Sequence, residues 1–324
     1  MTPSSNWPDG HRFAFTIFDD TDMTTLDNGP IVYDLLTSLG FRITKSVWPM
    51  AARADRATAG ETCADPGYLE WVLRLQAQGH EIGIHNVTDG SSTRDQTIAG
   101  LDRFREMFGH DPRAGADHAG NLEALYCGSK RLSGWRSALY RAAERRLQPE
   151  RPRFSGEEPT SEYFWGDVCR ERITYWRGLS FNRLNLLEVT PRLPYHDPAR
   201  SDVNQWFTAS HAPRCADLVS LMRSDRVDQL EARQGVCIMY AHLGLDVVVD
   251  GRINPEFEAA MTSLSRRRGW FAPVSDVLDH LRAQQTTSPI GLAERASFET
   301  RWIVDRVRSR TQLGPQRQTT PARS

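Results

Sequence analysis

The sequence nowhere holds the run of about 20 apolar residues that a membrane-crossing helix needs. Its opening, MTPSSNWPDGHRFAF, also lacks the basic-then-apolar order of a secretory signal. The expectation is a cytoplasmic protein. Paired cysteines are missing as well: Cys63, Cys127, Cys169, Cys215 and Cys237 are odd in number, far apart and free of any CxxC spacing. Neither a disulfide framework nor a zinc knuckle is therefore indicated. Neither sign of charge dominates, since 40 basic residues face 41 acidic ones. No net field favours nucleic acid or an anionic membrane, and a small, roughly neutral substrate fits better. The GxSxG elbow of a serine hydrolase is absent, as is any internal repeat.

What is present is a chain of 324 residues, 39% apolar and 25% charged, enough for a sizeable core. Residues 12–18 are apolar on both faces and stop at Asp19, Asp20 and Asp22, which suits a central parallel strand. A helix over 29–39, a strand over 42–48, a helix over 66–78 closed by Gly79, a strand over 81–85 and a helix over 94–108 follow. A short strand near 113–116, a strongly apolar strand over 236–241 and helices over 255–265 and 275–284 complete the alternation. This order favours a parallel α/β barrel or an open doubly wound sheet. Residues 122–213 are less regular and are expected to be an elaborated insertion on a domain spanning 1–285. Residues 286–324 read as a polar C-terminal extension with one amphipathic piece near 298–307 and a mobile polar tail.

Four polar clusters fall at the same end of four of these strands: Asp19-Asp20, His85, Asp117-His118 and His242. That carboxyl end is where α/β folds assemble their sites. One carboxylate with two imidazoles holds zinc or a similar divalent ion and leaves a position for water. Asp20, His85 and His118 supply such a set. Asp19 then suits the group that takes a proton from the water, and His242 the group that protonates the leaving atom. Taken singly, paired Asp residues after a strand often only cap a turn, and a lone strand-end His is more often structural. Their shared location is what raises them. Asp22 reads as a turn residue, and His80 as a partner for helix-end carbonyls.

Three segments resemble one family. Phe15-Thr16-Ile17-Phe18-Asp19-Asp20 resembles the first motif of the polysaccharide deacetylases with a NodB-type domain. Gly79-His80-Glu81-Ile82-Gly83-Ile84-His85 resembles their second motif, and Ile238-Met239-Tyr240-Ala241-His242 their last. The resemblance implies a distorted (β/α) barrel, a base at Asp19, metal ligands at Asp20 and His85, and a general acid at His242. It also implies removal of acetyl groups from a sugar, saccharide or glycan precursor, with one divalent ion, zinc first, as cofactor. Two departures stand out. The family's second metal histidine, four residues after the first, is Asp89 here, and its R-P-P-Y segment is replaced by Ala116 to Gly120, Ala-Asp-His-Ala-Gly. Either Asp89 binds the metal or His118 does; the turn chemistry beside Gly90 favours His118.

Two other classes compete with the deacetylase. A metal-free glycan-binding module on the same barrel accounts for the altered motifs, and a glycoside hydrolase needs two carboxylates facing each other across a sugar. For the substrate, Asn121, Trp165, Tyr175, Trp176 and Trp206 are the expected lining, with Arg172, Asn182, Asn185 and Asn204 as further donors. His196 and His211 lie in the same stretch. A small acetylated saccharide or its activated precursor is expected over an insoluble polymer.

Overall fold

The computed structural model describes residues 6–53, 58–147, 149, 153–190, 192–285 and 288–313. The expected mobile tail beyond residue 313 lies outside them. Seven parallel strands close into a barrel: β1 (Phe13–Asp19), β2 (Thr44–Val47), β3 (Glu81–Ile84), β4 (Ala114–Gly115), β5 (Tyr175–Phe181), β6 (Gln205–His211) and β7 (Val236–Ala241). The seam is β1 against β7, a ladder running from Ala14↔Val236 to Asp19↔Ala241. A two-residue hairpin pair, β8 (Val248–Val249) and β9 (Arg252–Ile253), sits apart, and β10 (Gly269–Trp270) extends the sheet along the start of β1. Because β1 pairs on both edges and is covered on both faces, all seven of its residues are buried, which is why its sequence is apolar without alternation.

Helices α1 (Gly29–Ser38), α2 (Pro66–Ala77) and α3 (Arg94–Phe108) return the chain between the early strands. In α3, Thr93 and Gln96 form a capping box, and Gly109 in the left-handed region ends it. Helices α4 (Gly134–Leu147) and α5 (Gly166–Arg172) follow β4. After β6 come α6 (Cys215–Leu221) and α7 (Ser224–Ala232), then α8 (Pro255–Ser265), α9 (Val274–Ala283) and α10 (Leu292–Leu313). A Cβ on Gly115 would run into the Trp176 ring and Ile84, so only glycine lets β5 close over β4. All five cysteines are free and buried. No helix among the described residues is long and apolar enough to cross a membrane.

The structure corrects two expectations. Residues 122–213 are no insertion laid on a finished barrel, because they contain β5 and β6. Their irregular pattern has a physical origin: β5 carries a bulge between Arg177 and Ser180, and both strands are buried among aromatic side chains rather than alternating. The polar C-terminal extension is likewise part of the fold. From α10, Phe298 packs on Phe181 with ring centroids 5.5 Å apart. Trp302 is buried and donates its indole N–H to the Ser180 carbonyl at 3.1 Å, and Asp305 accepts the Asn182 N–H at 2.7 Å. One apolar edge on an otherwise charged helix is enough to dock it. Trp302→Ala should therefore destabilise the protein by about 3–5 kcal/mol, as large aromatic truncations in a core do. Urea unfolding checks this, and a midpoint equal to wild type would show that α10 is dispensable.

Candidate metal centre

The carboxyl ends of β1, β3, β4 and β7 meet at one mouth. After β1 the chain turns through Asp20, Thr21 and Asp22, and the loop after β7 closes on it. A Cβ on Gly244 would come within 2.5 Å of Met23 and Thr24 backbone, so glycine permits the close approach that sets His242 beside Asp22. Asn86 follows His85 with φ of 54°, a conformation asparagine tolerates. Its side chain accepts the His118 N–H at 2.6 Å, which ties the loop after β3 to the loop after β4.

Asp22 is the centre of the arrangement. Its Oδ1 is 2.9 Å from His118 Nε2 and its Oδ2 is 3.1 Å from His85 Nε2. Across the mouth, His242 Nε2 lies 3.6 Å from Asp22 Oδ2 and 3.9 Å from Asp20 Oδ2. Each imidazole is oriented through its other nitrogen. His85 Nδ1 is 3.2 Å from the Ala116 carbonyl, His118 Nδ1 is 3.0 Å from Asn121 Oδ1, and His242 Nδ1 is 2.9 Å from the Pro213 carbonyl. Those oxygens can only accept, so each Nδ1 carries the proton and each Nε2 lone pair points at carboxylate oxygen. Lone pairs facing lone pairs need a proton or a cation between them.

The electrostatics carry the same demand. Burial works to raise the pKa of Asp22, yet His118 and His85 outweigh it and hold the carboxyl well below the usual carboxylate range. Burial likewise opposes the charged form of His118, but Asp22 overcomes it and pushes the imidazole up to about 9. The pocket thus retains positive charge between these groups. Ligand atoms of Asp22, His85 and His118 lie within 4.8 Å of one another, as do those of Asp20, Asp22 and His242. One carboxylate and two neutral imidazoles with fixed Nε2 lone pairs fit zinc or a related divalent ion.

Asp20, expected as the metal carboxylate, is at the mouth but in another grip. Arg177 of β5 donates to both its oxygens at 2.6 Å, and the guanidinium lies 4.1 Å from the Tyr240 ring centroid. His85 Nε2 is 3.5 Å from Asp20 Oδ2. Against the effect of burial, Arg177, His85 and His242 lower the Asp20 pKa. Asp19, expected as the base, turns elsewhere. It accepts from Leu243 N at 2.8 Å and Tyr33 OH at 2.9 Å and pairs with buried Lys45 at 3.2 Å. Both its oxygens are engaged where β1 packs against β2 and α1, and burial raises its pKa. Asp89 belongs to neither ligand group; its Oδ1 accepts from Arg53 N and from the Thr88 hydroxyl, both at 3.0 Å.

Most of the expected sugar-binding lining is committed to the fold. Asn121 orients His118 and donates to the Thr88 and Gly90 carbonyls, leaving nothing for a ligand. Trp165, Tyr175 and Trp176 are core residues; Trp165 donates to the Glu123 carbonyl at 2.7 Å and abuts Trp176. Trp206 is buried too, though it borders a cleft described below. Arg172 pairs with Asp102 and Asp111. Asn185 caps a short 3-10 turn, and Asn204 binds the Arg170 and Ile173 carbonyls. Asn182 gives its backbone N–H to Asp305. His80 is buried between Thr37 and the Ile43 N–H, and burial lowers its pKa to about 4. His196 bonds the Asn204 carbonyl, and His211 lies between Ser180 and Arg306. Two residues escaped the sequence reading. Asp22 had only a turn signal, and Arg177 lay in the segment taken for an insertion, although a lone arginine inside YWRGLSF was a visible mark.

Fold and site together define a parallel (β/α) barrel with an Asp–His cluster at its mouth. No protein-family model and no curated protein matches the sequence. Three solved structures are similar in chain path. A provisionally assigned polysaccharide deacetylase from Mycobacterium smegmatis is 13% identical over 88% of this chain and 95% of its own, with a TM-score of 0.48. Puue allantoinase is 14% identical over 90% and 96%, also at 0.48. A second provisionally assigned polysaccharide deacetylase, from Pseudomonas aeruginosa PAO1, is 14% identical over 87% and 95%, at 0.47. At those scores none of the three assigns a chemistry to this chain.

The donor geometry orders the effects of substitution on metal affinity. Asp22→Asn and His118→Ala should each weaken zinc binding more than about a hundredfold, and Asn121→Ala, which removes only the partner of His118 Nδ1, by about 10–100-fold. Asp89→Asn should leave it near wild type. Zinc titration with a competing chelator reads all four, and a larger loss in the Asp89 variant would overturn the assignment.

Proposed function

We propose that the protein is a metal-dependent hydrolase of an amide or ester, and that its substrate is an acetylated saccharide or saccharide precursor. The observation that carries the first part is the convergence of three anchored Nε2 atoms on two buried carboxylates at the carboxyl end of a parallel barrel. The saccharide is supported by the resemblance of the segments ending at Asp20, His85 and His242 to the deacetylase motifs.

A divalent ion held by Asp22, His85 and His118 supplies Lewis acidity toward a carbonyl and makes a neighbouring water more acidic. Asp20 would be the carboxylate to take the proton of that water, because its Oδ2 reaches the mouth between His85 and His242 while Asp22 is occupied by two imidazoles. Arg177 keeps Asp20 ionised and fixes both its oxygens. His242 stands on the open side, its side chain 16% exposed against 2% for His85. Pro213 holds the ring through Nδ1, and Nε2, once it takes up a proton, would pass it to the departing nitrogen or oxygen.

The glycoside hydrolase reading loses its footing on geometry. It needs two carboxyls facing each other across a sugar, whereas Asp20 and Asp22 approach the same His85 nitrogen, at 3.5 and 3.1 Å. For the deacetylase, zinc-loaded protein should release acetate from small N- or O-acetylated sugars and stop on chelation. Asp20→Asn and His242→Ala should keep the metal and the melting temperature yet lose at least about a hundredfold in rate. Acetate release that survives metal removal, or normal turnover in either variant, would sink the proposal.

A further inference from the structure

Arg177 has a second face. It also lines a narrow cleft, with ≈ 20 Å³ of space for the centres of water-sized molecules, which runs from Asp117 past Tyr126, Arg131 and Trp206 to α10. The cleft and the metal centre therefore share a wall. Its charges are unevenly matched. Arg200 pairs with Asp197 and Glu299, Arg295 pairs with Asp197, and Arg177 is held by Asp20. Arg131 has no carboxylate at ion-pair distance among the described residues: its guanidinium bonds the Cys127 Sγ at 3.2 Å, and Cys127 and Asp117 favour its charged form. Asp117 is the nearby carboxyl; it accepts from Leu125 N and Trp176 Nε1, burial lifts its pKa to about 6, and it shares charge with Arg131 at longer range without bonding it.

A second arginine makes the imbalance sharper. Arg306 donates to His211 Nε2 at 3.2 Å and Ser180 Oγ at 3.0 Å, both neutral acceptors. Burial first, and then the charge of Arg131, hold its basicity below normal. Trp206, on the cleft wall, has a buried indole N–H without a hydrogen-bond partner. Buried donors left in this state cost free energy until an acceptor arrives. A guanidinium with no hydrogen-bonded carboxylate and an orphaned indole N–H lining one cleft are donors that a bound anion satisfies.

We propose that this cleft is an anion subsite, and that the substrate carries a carboxylate or phosphate which Arg131 binds while the scissile acetyl group reaches the metal centre. The position of the acetyl group rests on the hydrolase reading; the subsite itself does not. It reconciles a near-neutral surface with a selective site, since the recognising charge is inside.

Calorimetry on the zinc-loaded protein tests it with N-acetylglucosamine as neutral probe, N-acetylglucosamine 1-phosphate and N-acetylmuramic acid. At least one anionic probe should bind about tenfold or more tightly than the neutral sugar, the worth of one charge-assisted hydrogen bond. Which of the two does so identifies phosphate or carboxylate. Arg131→Gln should abolish the preference, and Arg131→Lys, which keeps the charge and guards against a folding artefact, should retain part of it. The metal-free Asp22→Asn variant should keep the preference, which separates Arg131 from the metal as the anion's partner. Equal affinities, no binding of either anionic probe, or a preference that survives Arg131→Gln or vanishes with the metal would overturn the subsite. Anion preference without acetate release would leave it standing and remove the hydrolase reading instead.

Discussion

A buried carboxylate with an imidazole nitrogen against each of its oxygens sets the terms for the mouth of this barrel. Taking such a charge out of water costs several kcal/mol, so Asp22 is tolerable there only while positive charge is shared with it. His118 and His85 provide that contact at 2.9 and 3.1 Å. The requirement reaches outward. β3 and β4 must be neighbours for their end loops to meet, Asn86 must clasp the His118 backbone, and Asn121 and the Ala116 carbonyl must hold the rings. Each of these contacts is explained by the placement of one carboxylate.

Arg177 solves a second problem at the same place. Two carboxylates, Asp20 and Asp22, lie close to the same His85 nitrogen, at 3.5 and 3.1 Å. Like charges so near each other would force one to protonate. A bidentate guanidinium on Asp20, itself covered by Tyr240 and Phe18, neutralises one carboxylate and leaves the other to the imidazoles. The two acids are thereby given different partners and different chemistry. Lys45 does the same for Asp19 on the far side of β1.

The strand that delivers Arg177 is the one the sequence concealed. β5 bulges after Arg177 and carries Tyr175 and Trp176 in full burial, so neither alternation nor a clean apolar run marks it. Its aromatics read equally well as sugar platforms or as core, and only packing decides between the two. α10 was hidden differently: two buried aromatics on a charged helix are a weak signal until β5 is there to receive them. Each hidden element is the other's partner.

Local sequence was sufficient for β1, β3, β7 and the helices α1, α2, α3 and α8, because burial on both faces and capping chemistry act within a few residues. It was sufficient, too, for placing Asp20, His85, His118 and His242 at strand ends, since that follows from where each strand stops. Which acid faces which partner was decided only by the tertiary structure. Asp19, Asp20 and Asp22 are nearly adjacent in the chain and chemically alike. Their roles diverge because Lys45, Arg177 and His118 reach them from β2, β5 and the loop after β4. Asp20 and Arg177 are 157 positions apart, and no spacing rule connects such residues before the barrel closes.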